Sequence, residues 1–525
     1  MRGIVLLLCL VGLSVPSAAS AQEGAGASPP IIDRIVIRTH NVFDSSEATR
    51  NFLFRLANSL RITTRQSVVR HELLFREGEP YDSAKVAETL RNLRGRGLFR
   101  DVRIAPMASD SGNQVDVLVE TFDGWSTQLV MNASFTAGEF SWALGGRETN
   151  FLGAGAEAGV VYRDVPDRTA LQLNGALRRI RGSRFEAGGF WDNLSDGDFG
   201  SWFAGAPFRA LGDRHGFLLQ GSAGLQRVLQ FRDGDSLETY RRRLFVQRAE
   251  VAVAPVAGSD GFLRVGVGGQ VRREEFLLYT QPGSLVPDTV TGTIGVFADF
   301  LRPRFKVVRY YSGFVRDEDI DLSTRVTTAL WLAPRAFGYE EDGIGPSVWV
   351  QTGLSAGKNF VKLVGWANGL YTSSGLDSGQ VGVFLTAASQ VIRKNATVIH
   401  FEWATRRGVP PGFEYDLGHG QGPRAFGPHA FTGETAVWGS LEQRAFLIDQ
   451  FAGLFGIGFA AFVDYGGAWY RDQPRRLGGD VGLGLRLGST RSSGQNVGRI
   501  DVGYRFGEGW QGNRLAVSFG SGFAF

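Results

Sequence analysis

Val481-Gly482-Leu483-Gly484-Leu485-Arg486-Leu487-Gly488 alternates strictly: apolar, then small or charged, with period two. Side chains in a strand point alternately to its two faces. This stretch therefore has one wholly apolar face and one face of glycine and arginine. The pattern repeats outward. Ile500, Val502, Tyr504 and Phe506 oppose Asp501, Gly503 and Arg505, while Leu515, Val517, Phe519, Phe523 and Phe525 oppose Arg514, Ala516, Ser518 and Gly520. Far upstream, Leu171, Leu173, Gly175 and Leu177 alternate with Gln172, Asn174, Ala176 and Arg178. From Trp125 to Phe525 no helical period intervenes. Strands of ~10 residues with one apolar and one polar or small face are the sequence pattern of a transmembrane β-barrel. Closure also satisfies every backbone group in hydrocarbon. A soluble propeller or sandwich would instead keep glycine mostly in turns and bury the apolar faces. Aromatics near strand ends (Trp469-Tyr470, Tyr310-Tyr311 and Phe523 to Phe525) read as interfacial girdles.

Composition agrees. Glycine is 72 of 525 residues, about 14%, with 43% hydrophobic and 21% charged residues. Such a chain has ample apolar surface to bury, which excludes a mostly disordered protein, and glycine without a three-residue period excludes collagen. A net charge of +4, from 56 basic and 52 acidic residues, does not mark a nucleic-acid binder. Residues 1–21 read as a secretory signal peptide, with Arg2 before a short apolar run and Ala19-Ser20-Ala21 as the cleavage pattern. The apolar run falls short of the ~20 residues that span a bilayer, and no later run reaches that length. Cys9, the sole cysteine, lies in this leader, so the mature chain is expected to form no disulfide or thiolate metal site. Residues 22–30 are a Gly/Ala/Ser/Pro-rich flexible lead-in.

Residues 31–123 carry a different pattern. An alternating, β-branched strand occupies 31–38. Thr63 and Gln66 have capping-box spacing before a helix through Val68, Val69, Glu72 and Leu73. Gly78-Glu79-Pro80 breaks it, and Asp82 caps a second helix with the stripe Val86, Leu90 and Leu93, closed by Gly95 and Gly97. Two strands, 101–106 and 115–121, follow. The order strand, helix, helix, strand, strand buries one sheet face under two helices.

In this order, these residues resemble the BamA/TamA-like outer-membrane assembly factors, the bacterial surface antigen family. Gly78-Glu79-Pro80-Tyr81-Asp82, Leu90 to Leu93 and Gly97-Leu98-Phe99-Arg100-Asp101-Val102 are similar to the family's POTRA domain, here a single copy (31–123) with a long insertion at 39–62. The resemblance implies that the barrel (125–525) contains a lumenal loop at about 407–433, with Arg424-Ala425-Phe426 at its tip. Ala425 stands where the family has glycine. Gly433-Glu434 and Glu442-Gln443-Arg444 are similar to the family's loop-base motif, and Phe462-Val463-Asp464-Tyr465-Gly466 to its F-x-D-x-G strand. Alternation turns Asp464 to the lumen and Val463 and Tyr465 to lipid. The resemblance implies that Arg424 pairs with Asp464, so that charge reversal at Asp464 is partly rescued by the reciprocal change at Arg424. It also implies sixteen antiparallel strands, although more than sixteen strand-like segments can be counted, and Phe523 and Phe525 as a C-terminal assembly signal.

The resemblance further implies a function without substrate chemistry. Unfolded barrel clients would meet the POTRA by strand addition, with strand 115–121 as a candidate edge. They would then enter between the first barrel strand (about 126–135) and the last (about 513–525), which Gly520 and Gly522 weaken. Periplasmic chaperones, accessory lipoproteins and outer-membrane lipid are the other implied partners; no cofactor, metal or nucleic acid is implied. Alternatives are a two-partner-type secretion pore or a specialised translocation paralogue. A barrel enzyme lacks a convincing Ser/His/Asp cluster, and a plain porin leaves the POTRA unexplained. Gly353-Leu354-Ser355-Ala356-Gly357 matches G-x-S-x-G but is followed by a strand, not the required helix. His71-Glu72 lacks the second histidine of a zinc motif, since residue 75 is Phe. His419 and His429 flank the loop tip as candidates for a metal site or a pH sensor, although water-facing loop histidines are commoner, and Arg241-Arg242-Arg243 reads as an exposed turn in preference to a lipid-headgroup contact at a strand end.

Overall fold

The computed structural model describes residues 29–521 other than 51, 60, 61, 110, 111, 137, 138, 233, 234, 280–288, 409, 411, 419, 420, 493–496 and 511. The leader, most of the lead-in, His419, Phe523 and Phe525 lie outside the described residues.

The N-terminal unit runs β1 (Ile31–His40), α1 (Ser45–Arg50), α2 (Phe52–Ser59), α3 (Gln66–Arg70), α4 (Ser83–Gly95), β2 (Phe99–Ala108) and β3 (Gln114–Asp123). The Asp82 side chain accepts from the Ala84 and Lys85 N–H groups and starts α4, satisfying donors that the helix cannot. Val86 and Leu93 of α4 and Val69 of α3 pack on Ile35, Ile37, Val102, Val117 and Val119 of the sheet. The Thr63–Gln66 capping box does not form: Arg65 is the N-cap of α3 and makes no side-chain cap bond. The expected edge strand is also corrected. Sheet order is β1-β3-β2, with β1 parallel to β3, so β3 is central and β2 is an edge. A parallel pairing closed through 73 intervening residues leaves no local trace in the sequence. The 39–62 insertion supplies α1 and α2.

The rest closes into a barrel of antiparallel strands, twenty of them among the described residues, with the last strand (Leu515–Ser521) beside the first (Thr127–Thr136). This is a transmembrane β-barrel, and the expectation of sixteen strands is corrected to twenty. Segments that could pass for bulges are true wall strands joined by tight turns, as at Val165/Arg168, Leu194/Gly197, Gly258/Gly261 and Thr372/Gly375. The apolar faces point outward: Val481, Leu483, Val502, Tyr504, Val517 and Phe519 are all exposed, the face that meets lipid. Arg486, Asp480, Asp501 and Arg505 point inward and are buried. Among the described residues no helix is long and apolar enough to cross a membrane. Gly353 to Gly357 ends one strand and turns into the next, as strand–turn–strand. Arg241-Arg242-Arg243 is not a turn. It lies inside the 24-residue strand Asp235–Gly258, where Arg242 and Arg243 pair across to Glu274 and Glu275.

Strands alternate in direction, and the first leaves the POTRA end. Turns after even-numbered strands therefore lie at that end, and turns after odd-numbered ones lie at the far end. Residues 303–323 follow the tenth strand and 408–434 follow the fifteenth, so two long connections enter from opposite mouths. The first carries the hairpin Phe305–Val308/Glu318–Asp321, and the second the pair Tyr415–Leu417/Phe431–Gly433. Tyr310 and Tyr311, expected in a lipid girdle, sit in the first connection instead. Tyr311 packs edge-on against Phe360. Phe314 beside them fills a socket where Gly456 and Gly488 leave the wall bare, and a Cβ on either would overlap its ring.

Candidate functional site

The far-end connection delivers Arg424 to the lumenal wall, where it is 2% exposed. Its Nε donates to Asp464 Oδ2 at 2.6 Å and its Nη2 to Asp464 Oδ1 at 3.0 Å, while Nη1 donates to Glu442 Oε2 at 2.6 Å. The Ser440 hydroxyl donates to Asp464 at 2.6 Å, and the guanidinium lies 3.8 Å from the Phe462 ring centre. A planar fork with several fixed donors can hold two carboxylates at once, and a lysine ammonium cannot reproduce this. Burial pulls the Arg424 guanidinium down, but Asp464 and then Glu442 outweigh it and hold the group above its ordinary value.

The tip grips further strands through its backbone. The Ala425 N–H donates to Asp480 Oδ2 at 3.0 Å, and Arg505 Nε donates to the Ala425 carbonyl at 2.6 Å. Ala425 has no positive φ, so the missing glycine costs the tip nothing. Its methyl sits over Gly503, where an added Cβ would lie 2.9 Å away. Phe426 is fully buried with Phe431, Leu417 and Trp438. Gly433 passes so close to the Trp469 backbone that any Cβ there would collide with it, which explains glycine at this point of the loop base. Glu434 lies between loop and wall, its carbonyl accepting from the Arg406 N–H at 2.8 Å. Glu442 and Arg444 are not loop residues. They are buried on the lumenal face of Thr435–Phe451.

Glu442 is the hinge of a longer chain of contacts. Arg444 Nε donates to Glu442 Oε1 at 2.8 Å, and Arg444 Nη1 donates to the Tyr311 carbonyl at 2.8 Å. The two lumenal connections thus meet through one carboxylate and one arginine. The POTRA-end connection continues outward: Arg94 of α4 bridges to Asp317 and Asp319 at 3.3 Å, and Arg316 donates to the Phe99 carbonyl of β2. Sequence reasoning missed this second insert entirely. Its sole sequence trace is a 21-residue gap in the alternation.

His429 is not a water-facing histidine. Its ring stacks on Phe231 at 3.5 Å and bridges Asp416 (2.5 Å) and Asp167 (3.0 Å), the latter from a neighbouring far-end turn. Burial pulls its pKa down, but the two aspartates prevail and raise it from 6.5 to about 9. The bond from His429 in turn holds Asp167 below its ordinary value. A raised pKa means that the stabilisation is complete below pH 6.5 and is lost as pH rises through about 9. Protease cleavage of the loop is therefore expected to accelerate between these limits, and His429→Gln should cleave fast at every pH. A pH-independent wild-type rate would refute the clasp. Among the described residues no cluster of metal ligands is present.

The family model for POTRA (surface antigen variable number repeat) matches residues 61–121, the stretch from the end of the insertion through β3. The chain carries a POTRA domain. A closed β-barrel follows it. Among solved structures, BamA from Haemophilus ducreyi lacking POTRA domains 1–3 is similar over 95% of this chain and 85% of its own, at 13% identity and TM-score 0.40. CdiB from Escherichia coli is similar over 97% and 92%, at 11% identity and TM-score 0.48. CdiB from Acinetobacter baumannii is similar over 95% and 90%, at 11% identity and TM-score 0.42. At such identities and scores the likeness says nothing of activity. No curated protein matches the chain.

Proposed function

We propose that this BamA/TamA-like barrel is an outer-membrane assembly factor that inserts other barrels without catalysing a reaction on them, with its POTRA in the periplasm. One observation carries this reading. The Arg424-Ala425 tip grips four successive wall strands, through Glu442, Asp464, Asp480 and Arg505, and among these contacts none is to the last strand. A wall braced up to its penultimate strand leaves the join of last and first strands as the place that can open sideways. Clients would add to edge strand β2, whose outer side has no strand partner among the described residues. Chaperones or lipoproteins that hand over clients belong to the same proposal.

The secretion-pore reading has one observation of its own. Twenty strands enclose a wider lumen than sixteen, wide enough to matter if both lumenal inserts withdraw. Depleting the protein in its own host and quantifying the outer-membrane proteome separates the two. Assembly predicts that many unrelated barrels fall together. Unchanged barrels with the loss of one exported protein would overturn it in favour of secretion.

A further inference from the structure

The POTRA insertion does more than fill a gap between β1 and α3. The described residues of 42–65, which span most of the 39–62 insertion and its exit into α3, run beneath the join of first and last barrel strands and are tied to turns on both sides of it. On the C-terminal side, Arg491 pairs with Glu47 of α1 at 2.5 Å, donates to the Gly453 carbonyl at 3.0 Å, and lies over the Phe43 ring. Phe43 stacks on Phe54 of α2 at 4.0 Å, and Phe54 abuts Gly453. On the N-terminal side, the Arg65 N–H donates to the Gly153 carbonyl at 3.0 Å, and Asn150 donates to the Thr64 hydroxyl at 2.7 Å. Phe54 thus faces the protein, and α2 turns its opposite face away.

That outer face is apolar. Phe52 and Leu56, four residues apart on one side of α2, are 64% and 41% exposed, and Ile62 is 53% exposed. Arg55 beside them is exposed as well. These side chains continue a belt already present on the barrel. At two of the turns that hold the insertion, Phe151, Leu152, Leu447, Phe451 and Phe455 all face outward. An apolar helix face with a basic neighbour, level with the rim of a lipid-facing wall, is the composition of an interfacial helix.

We propose that the 42–65 insertion is a membrane-seated arm, with Phe52, Leu56 and Ile62 inserted into the phospholipid leaflet at the POTRA end of the barrel, directly under the join. This rests on the outer-membrane reading of the barrel. Seated there, the arm fixes the POTRA against the rim where that reading has clients enter.

Cys9 is the sole cysteine and lies in the expected leader, so single cysteines can be placed in an otherwise thiol-free mature protein. Nitroxide labels at Phe52→Cys, Leu56→Cys and Ile62→Cys would be examined in full-length protein in nanodiscs of phosphatidylethanolamine and phosphatidylglycerol. Ala105→Cys on the POTRA edge serves as a water control and Leu483→Cys on the barrel wall as a lipid control. Heat-modifiable gel mobility confirms folding. The ratio of collisions with oxygen to collisions with a nickel chelate is expected to be several-fold higher at 52, 56 and 62 than at 105, and close to that at 483. Water-like ratios at all three arm positions, with a lipid-like ratio at 483, would overturn the arm and leave the barrel. A water-like ratio at 483 would overturn the membrane reading itself. Arm labels shielded from both reagents would mean a protein contact, and would also overturn the proposal.

Discussion

Replacing Arg424 by alanine is expected to free the lumenal loop while leaving the barrel closed. Asp464 and Glu442 are both fully buried, and Arg424 serves both. Without it Glu442 keeps Arg444, but Asp464 keeps little beyond the Ser440 hydroxyl. Removing one partner of a buried pair costs about 3–5 kcal/mol because the other charge stays desolvated. The barrel wall has continuous strand pairing to resist that loss, and the loop tip has not. The cost therefore falls on the seat of the loop. Arg424→Lys should be intermediate, since an ammonium can meet one carboxylate squarely but not two. A reciprocal charge swap between 424 and 464, which the bare pairing would favour, is not expected to rescue: Asp at 424 would face Glu442. Arg424→Gln with Asp464→Asn should recover part of the loss, because neither partner is then left charged. Limited proteolysis at residues 415–433, with the outer-membrane proteome of cells carrying each variant, reads all four variants. Equal protection in wild type, Arg424→Ala and Arg424→Lys would refute the clasp.

What could be read beforehand divides by the range of the contacts. Alternation gave the inward and outward faces of the wall correctly at Asp464, Val463 and Tyr465, because period two is local and survives any closure. Arg424 and Asp464 were legible as a pair only through motifs seen together, and the structure adds Glu442 as an equal partner. The rest was illegible for physical reasons. Tyr310 and Tyr311 look the same in sequence whether a tyrosine pair meets lipid headgroups or the lumen. The place of β3 depends on β1, which returns to it across the whole domain. Strand number depends on whether a glycine step is a bulge or a hairpin, and only pairing on both sides decides that. His429 was misjudged because its two aspartates come from residues 13 and 262 positions away.

Glu72→Ala is expected to loosen the POTRA domain where it meets the barrel mouth. Glu72 lies just past α3, is 2% exposed, and is the carboxylate shared by a cluster of arginines. Arg179 of a POTRA-end turn donates to it at 3.0 Å, and Arg96 at the end of α4 lies 3.4 Å away. Arg209, from the next such turn, is pushed down to about 10, by burial first, with Arg179, Arg96 and Arg178 adding repulsion and Glu72 opposing it. Arginine stays charged at neutral pH regardless. Deleting the one shared anion therefore leaves cations from two units facing each other in a buried space, at a cost of about 3–5 kcal/mol. The other ties across this interface include Glu88 to the Leu211 N–H, Arg94 to Asp317 and Asp319, Arg65 to Gly153, Asn150 to Thr64, Arg316 to Phe99 and the Arg491–Glu47 pair. Each such bond contributes about 0.5–1.5 kcal/mol, so together they match or exceed the loss, and the variant loosens the arginine cluster without detaching the domain. Hydrogen exchange followed by mass spectrometry should show faster uptake at 149–155, 178–185 and 207–213 in Glu72→Ala, with the strands of the wall unchanged. Glu72→Gln, which keeps shape but removes charge, should fall between. Wild-type exchange at all three turns in Glu72→Ala would mean that other contacts hold the domain in place. Because Arg94 and Arg316 also join the POTRA to the lumenal hairpin, loosening there should further raise exchange at 305–321, and the lumen would then sense the position of the domain outside it.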